Sequence, residues 1–309
     1  MDLRVKPKLK LHQGLAAKPR RKLRRDLVAL CFILPFAVVY TVFIIWPVGE
    51  GLYMSAYKWG LMGRQRFLAW GNYQKFLGDK FFWSSLWNTT KFVILSTPTI
   101  IAASFLLALL ANRATKIRRL LRASYFAPNL LSVSVISYIA VYMLRPYGMG
   151  FVSVLMKNLG FTQELFFLKD EGLVWLSVVG TTCWWTMGYN MMLYVSALQD
   201  IPDQLYESAS IDGATASRQL WSITLPLLRP THLLILMLQL IASFKIFAQM
   251  RLITNNDSKF WTLINYIYES AFSKNNLGYG AAMSYALFLI LIVLTLAQFF
   301  WSRRKEAEA

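Results

Sequence analysis

A chain of 309 residues with 56% hydrophobic side chains, 16% charged ones and a mean hydropathy of +0.42 is too apolar for an ordinary soluble domain. The net charge of +18 invites a nucleic-acid reading. Its placement argues against one, because ten of the 33 Lys and Arg residues fall in the first 26 and an apolar run follows at once.

In chain order, residues 1–26 read as a basic cytoplasmic tail and 27–309 as one membrane domain. Six apolar segments follow, at about 27–48, 86–112, 121–144, 173–198, 225–250 and 279–302. The first approaches the length a bilayer requires and follows a long basic stretch, so it reads as a span and not as a cleaved signal peptide. Pro35, Pro98, Pro128, Gly180, Gly188 and Pro230 lie inside these segments, which membrane helices tolerate where neighbours satisfy the freed backbone groups. No internal repeat and no low-complexity linker is visible. With the amino terminus inside, the inner connections carry nineteen Lys and Arg and the outer ones eleven, so both termini and the 199–224 connection are expected in the cytoplasm. Trp59, Trp70, Tyr73, Phe76 and Trp83 in 49–85, and Phe151, Phe161 and Phe166 in 145–172, read as interfacial belts.

Catalytic chemistry is hard to find. No Gly-rich phosphate loop ending in Lys-Ser/Thr occurs, nor a His-Glu-x-x-His motif. Cys31 and Cys183 each sit in an apolar segment, which supports neither a disulfide framework nor a metal site. Of the two histidines, His12 is in the tail, and His232 reads as a helix-end residue, with a proton relay as the alternative. The energy for any work must come from a partner or a gradient. Polar residues within the spans are costly in hydrocarbon and face a cavity or another helix. Thr182, Thr186 and Tyr189 share one face of the fourth span, Gln239 and Ser243 lie one turn apart in the fifth, and Asn129 opens the third just after Pro128. Each is polar glue or pathway lining. Of Trp184 and Trp185, one stacks on a ligand ring at most, while the other points to lipid or a helix. Lys245 is expected to snorkel to the outer interface; contact with an anionic substrate group is the alternative.

Between the fourth and fifth spans, residues 199–226 read Gln-Asp-Ile-Pro-Asp-Gln-Leu-Tyr-Glu-Ser-Ala-Ser-Ile-Asp-Gly-Ala-Thr-Ala-Ser-Arg-Gln-Leu-Trp-Ser-Ile-Thr-Leu-Pro. Asp200 is the expected N-cap of a short helix, Pro202 and Asp203 suit its first turn, and Gly213 ends it with a left-handed turn. Small residues around Glu207 let the element lie in a groove of another protein. Tyr206-Glu207-Ser208-Ala209-Ser210-Ile211-Asp212-Gly213-Ala214, then Ile223-Thr224-Leu225-Pro226, resembles the EAA loop of binding-protein-dependent ABC importer permeases, most closely the maltose-type carbohydrate branch. The Glu-to-Gly and Gly-to-Ile spacings match, and Ser208 and Ser210 are small-for-small departures. Pro35, Trp46-Pro47, Leu52-Tyr53-Met54-Ser55 and Gly71-Asn72-Tyr73 resemble the opening of the larger permease of sugar importers. The likeness covers nearly everything from Leu27 onward.

That resemblance implies an all-α membrane protein with six transmembrane helices in the type I ABC importer permease fold. It implies a bacterial cytoplasmic membrane, a homologous second permease, two ATPase subunits, an outside solute-binding protein and a sugar or oligosaccharide substrate. ATP and Mg would sit on the ATPases, with no cofactor or metal on this chain. Tyr206, Glu207, Ser208, Ala209, Asp212 and Gly213 would couple to the ATPase, with Glu207 pairing a basic residue there. Asn129, Thr182, Thr186, Tyr189, Gln239, Ser243 and Lys245 match the spans that line the family's sugar site. ATP closing the ATPase dimer would move the 200–216 element and open the bundle outward. The rival is an ion-gradient-driven secondary transporter, which needs intramembrane acids and repeats that this chain lacks.

Overall fold

Hydrocarbon offers no partners for backbone groups, so the apolar segments fold as helices that satisfy themselves. The computed structural model describes residues 19–112, 118–161 and 165–307. Residues 1–18, within the tail expected from the sequence, and residues 113–117, in a connection expected to be cytoplasmic, lie outside them. The chain divides into residues 1–53 and 54–309. In the first unit, α1 (Pro19–Tyr40) continues past Pro35 into a π turn at Thr41–Ile45. Then α2 (Trp46–Ser55) carries the helix across the boundary. Large apolar side chains from Val28 to Trp46 are exposed, which suits contact with lipid.

The second unit begins with a feature the all-helical expectation lacks, an antiparallel hairpin of β1 (Tyr57–Gly60) and β2 (Gly63–Phe67). Next comes α3 (Gly71–Leu77), whose buried Asn72 donates to the carbonyls of Ser55 and Tyr57, both at 2.8 Å. The 33-residue α4 (Lys80–Asn112) holds the second apolar segment. The third is bent. After α5 (Arg118–Phe126) a 3-10 turn at Ala127–Leu130 leads to α6 (Val133–Met143), and the chain turns by 101° between them. Pro128 lacks the amide a continuing helix needs, and Ser132 caps the new start by accepting from the Val135 amide. In the 145–172 connection lies α7 (Phe151–Asn158), followed by the 29-residue α8 (Glu171–Gln199).

The loop contains α9 (Asp203–Ile211) and α10 (Ala216–Gln219). A π turn at Leu220–Thr224 then leads into α11 (Leu225–Leu227) and, after a 63° bend, α12 (Arg229–Phe244). The 225–250 segment is therefore not one helix: it breaks at Leu228 and again at 245–247, before α13 (Ala248–Ile253). Further along are α14 (Leu263–Tyr268) and, closing the described chain, α15 (Leu277–Ala307).

Among the described residues, three helical stretches are long and apolar enough to cross a membrane, Val28–Ser55, Lys80–Asn112 and Leu277–Ser302, and the number is five if each of the two bent pairs is one span. At ~1.5 Å per residue α8 is also long enough, but its Thr, Asn, Trp and Tyr content dilutes its apolarity.

Three apolar clusters hold the second unit. At the hairpin end, Phe82, Leu263, Tyr266, Tyr279 and Met283 join α4, α14 and α15. Trp175, Val178, Phe92, Ile246 and Met250 join α8, α4 and α13. At the loop end, Ala108, Tyr194, Leu198, Leu228 and Ile235 join α4, α8 and α12. Gly188 lets α8 press against α5, because a Cβ there would lie 1.9 Å from the Tyr125 carbonyl oxygen.

Candidate functional site

Between the apolar clusters α4, α8 and α12 meet through polar side chains. The Asn190 amide donates to Gln239 Oε1 at 3.2 Å, and Gln239 Nε2 donates to Ser243 Oγ at 3.1 Å. Ser96 and Thr97 of α4 reach the same hydroxyl at 3.3 and 3.4 Å. All five are buried. Such contacts join membrane helices with modest energy each, roughly 0.6 kcal/mol on average.

Beside this layer opens a cavity of about 300 Å³, walled by Thr182, Trp185, Thr186, Gln239, Ser243, Lys245 and Gln249 among others. The Thr182 and Thr186 hydroxyls donate to the carbonyls of Val178 and Thr182, both at 2.7 Å, which leaves their oxygen lone pairs available. The cavity sits at the second break of the fifth segment. There the carbonyl of Ile246 accepts from Thr262 Oγ1 at 3.0 Å and that of Phe247 from Asn265 Nδ2 at 3.4 Å. Irregular backbone within a membrane protein is tolerated where protein groups satisfy it or it lines a cavity.

Five of the seven pathway residues expected from sequence thus share one cavity: Thr182, Thr186, Gln239, Ser243 and Lys245. Lys245 lines it and is also exposed. Asn129 is not among its walls; its amide donates to the Trp185 carbonyl at 3.4 Å, while the Trp185 indole donates to Leu131. Tyr189 is also absent from the walls and is 46% exposed. The two tryptophans line different cavities: Trp185 this one, and Trp184 an apolar one with Met143, Leu144 and Phe167. Sequence reading missed Ser96, Thr97, Asn190 and Gln249. Asn190 sits one turn beyond Thr186, so the same periodicity would have found it.

The loop end is built to present α9. Asp200 does not cap it; Asp200 ends α8, and Pro202 precedes α9 without a side-chain cap. At the other end Gly213 has φ +77, with its amide on the Ser210 carbonyl and that of Ala214 on Ala209 at 2.8 Å. This doubly bonded left-handed stop fixes where the chain leaves the helix. Thr215 then caps α10. Tyr206 turns inward, its hydroxyl 2.9 Å from that of buried Thr224, and Gln219 Nε2 donates to Ser210 Oγ at 2.9 Å. Ala209 is half-buried; Glu207, Ser208, Asp212 and Gly213 are exposed. Beside them Ile211 is 87% exposed. Asp200, Asp203, Glu207 and Asp212 give this stretch four acids and no base before Arg218, in a chain of net charge +18.

Residues 81–306 match the family described as "Binding-protein-dependent transport system inner membrane component". The chain is 31% identical over 271 residues to the sn-glycerol-3-phosphate transport system permease protein of Agrobacterium fabrum, covering 86% of this chain and 92% of the relative. It is 28% identical over 269 residues to the arabinooligosaccharides transport system permease protein of Bacillus subtilis, covering 86% and 85%. Its fold matches a chain of a bacterial ABC transporter involved in the import of the acidic polysaccharide alginate, with a TM-score of 0.83, 22% identity and coverage of 92% and 98%. A loop matching the permease pattern in sequence, ordered as an exposed helix at one end of a bundle with this fold, therefore has its explanation: the chain belongs to the family of binding-protein-dependent transport system inner membrane components.

Proposed function

We propose that the chain is one of two unlike, homologous permease subunits of an ATP-driven importer for a sugar or sugar-like polyol. The spans would be α1–α2, α4, α5–α6, α8, α10–α12 and α15, with both termini and α9 in the cytoplasm. Of two ATPases holding ATP and Mg, one would dock on Glu207, Ser208, Ala209, Asp212 and Gly213, and a solute-binding protein would deliver substrate at the hairpin end. The relatives' names support the substrate class, since they span arabinooligosaccharides and a polyol phosphate.

One observation carries the mechanism. Two helices that bear cavity walls, α8 and α12, bracket the loop that contains α9, and Tyr206 bonds α9 to Thr224 on the path that leads through α11 into α12. A displacement of α9 by an ATPase is thus delivered to the helix that carries Gln239 and Ser243. ATP binding would open the cavity outward, and hydrolysis would return it to the inside. The acidic surface around Glu207 complements a basic groove on the partner.

Mild-detergent purification of the tagged chain tests this. The expected result is a complex containing an ATP-hydrolysing partner and a second permease, with uptake in vesicles that requires ATP and withstands collapse of ion gradients. A chain that purifies alone and moves substrate on an ion gradient would overturn the reading.

A further inference from the structure

Lys245 is the sole ionisable side chain among the cavity walls, and no carboxylate lines them. It takes part in none of the ion pairs among the described residues. A second group points the same way. Gln249, only 5% exposed, also lines the cavity, and its Nε2 has no hydrogen-bond partner. Buried amide donors are nearly always satisfied, so an orphaned one at a cavity wall marks a place for an acceptor. The ammonium offers donors and no acceptor, and the unbonded atom of Gln249 is a donor as well. Lys245 also stands at the C-cap of α12, where a cation favours the helix end. That role accounts for a charge at 245, but not for an unpartnered donor on the same cavity.

We propose that this cavity binds the anionic group of a polyhydroxylated substrate, a carboxylate or a phosphate, between Lys245 and Gln249. The neutral hydroxyls then fall to Thr182, Thr186, Gln239 and Ser243, whose oxygens and amide both donate and accept. The inference rests on reading the cavity as the translocation site. It adds the charge of what passes, and makes Lys245 a specificity residue instead of an interfacial anchor.

The test uses the full complex in nanodiscs, with Cys31→Ser and Cys183→Ser and a single reporter, Ala242→Cys, on the cavity wall. Two methanethiosulfonate reagents of similar size, one bearing a sulfonate and one a trimethylammonium, are compared for their modification rates. Any effect of the site on the thiol's own ionisation cancels in the ratio. The anionic reagent should be favoured about tenfold over its ratio on a free thiol, because a cation on the same cavity wall attracts it. Lys245→Gln should abolish that preference and Lys245→Arg should keep it. A ratio unchanged by Lys245→Gln overturns the inference while leaving the cavity as pathway. No labelling by either reagent, with or without ATP, overturns the pathway reading and the inference together. Protection from labelling by trigalacturonate would assign a carboxylate, and protection by glucose 6-phosphate a phosphate. Protection by neutral maltotriose alone would overturn the charge assignment.

Discussion

At the scale of single residues, the fold depends most sharply on an atom that is missing. Gly188 brings α8 onto the backbone at Tyr125 and Phe126, and any Cβ would enter that carbonyl contact. Gly188→Ala should therefore cost well over the roughly 1 kcal/mol a helical glycine ordinarily gains on this change. Gly180, with nothing within 4 Å of its would-be Cβ, is the matched control on the same helix. Thermal unfolding of the purified protein should fall sharply for Gly188→Ala and hold or rise for Gly180→Ala; equal shifts would deny the contact. The polar wall was largely legible at this scale, since spacing along one helix face brings out Thr182, Thr186, Gln239 and Ser243. Tyr189 shares the face on paper but turns out to be exposed. Gln249 was passed over because nothing local distinguishes it from helix glue; its missing partner is a fact of three dimensions.

At the scale of elements, breaks and clamps matter more than the helices themselves. Pro128, Pro226 and Pro230 announce two bends in the sequence. The break at 245–247 carries neither Gly nor Pro and is held by Thr262 and Asn265 from α14, so no window on the fifth segment could have shown it. The hairpin end has its own clamp. Asp79 Oδ2 accepts from the hydroxyls of Tyr266 at 2.5 Å and Tyr279 at 2.6 Å, tying the start of α4 to α14 and α15. Burial raises the Asp79 pKa, but these two bonds and the Phe81 and Phe82 amides more than offset it, leaving it below its ordinary 3.8. A carboxylate whose folded pKa is depressed stabilises the fold above its unfolded value. That contribution is lost as pH falls through the lower, folded one. The melting-temperature gap between wild type and Asp79→Asn should thus be full near neutrality and shrink below about pH 4. A gap independent of pH would remove the carboxylate from the clamp.

At the scale of the whole molecule, one end answers the other. Within residues 54–309, a polar layer and its cavity lie among α4, α8 and α12, and an acidic, exposed α9 lies in the loop that joins two of those helices. The loop was the most legible part of the sequence, because its spacing is fixed by the left-handed stop at Gly213 and the entry to α12. Its inward tie through Tyr206 and Thr224 was not, since that contact spans 18 residues and needs the fold. The most direct test of this coupling is uptake and ATP hydrolysis by the reconstituted complex carrying Glu207→Arg or Gly213→Pro. Charge reversal should repel the basic partner surface, and proline cannot adopt the φ of +77 that residue 213 requires. Both variants should lose uptake by about tenfold or more, a change equivalent to ~1.4 kcal/mol of coupling, and hydrolysis should no longer respond to loaded binding protein. Normal uptake with normal stimulation in both would contradict the transmission of force from α9 to the cavity.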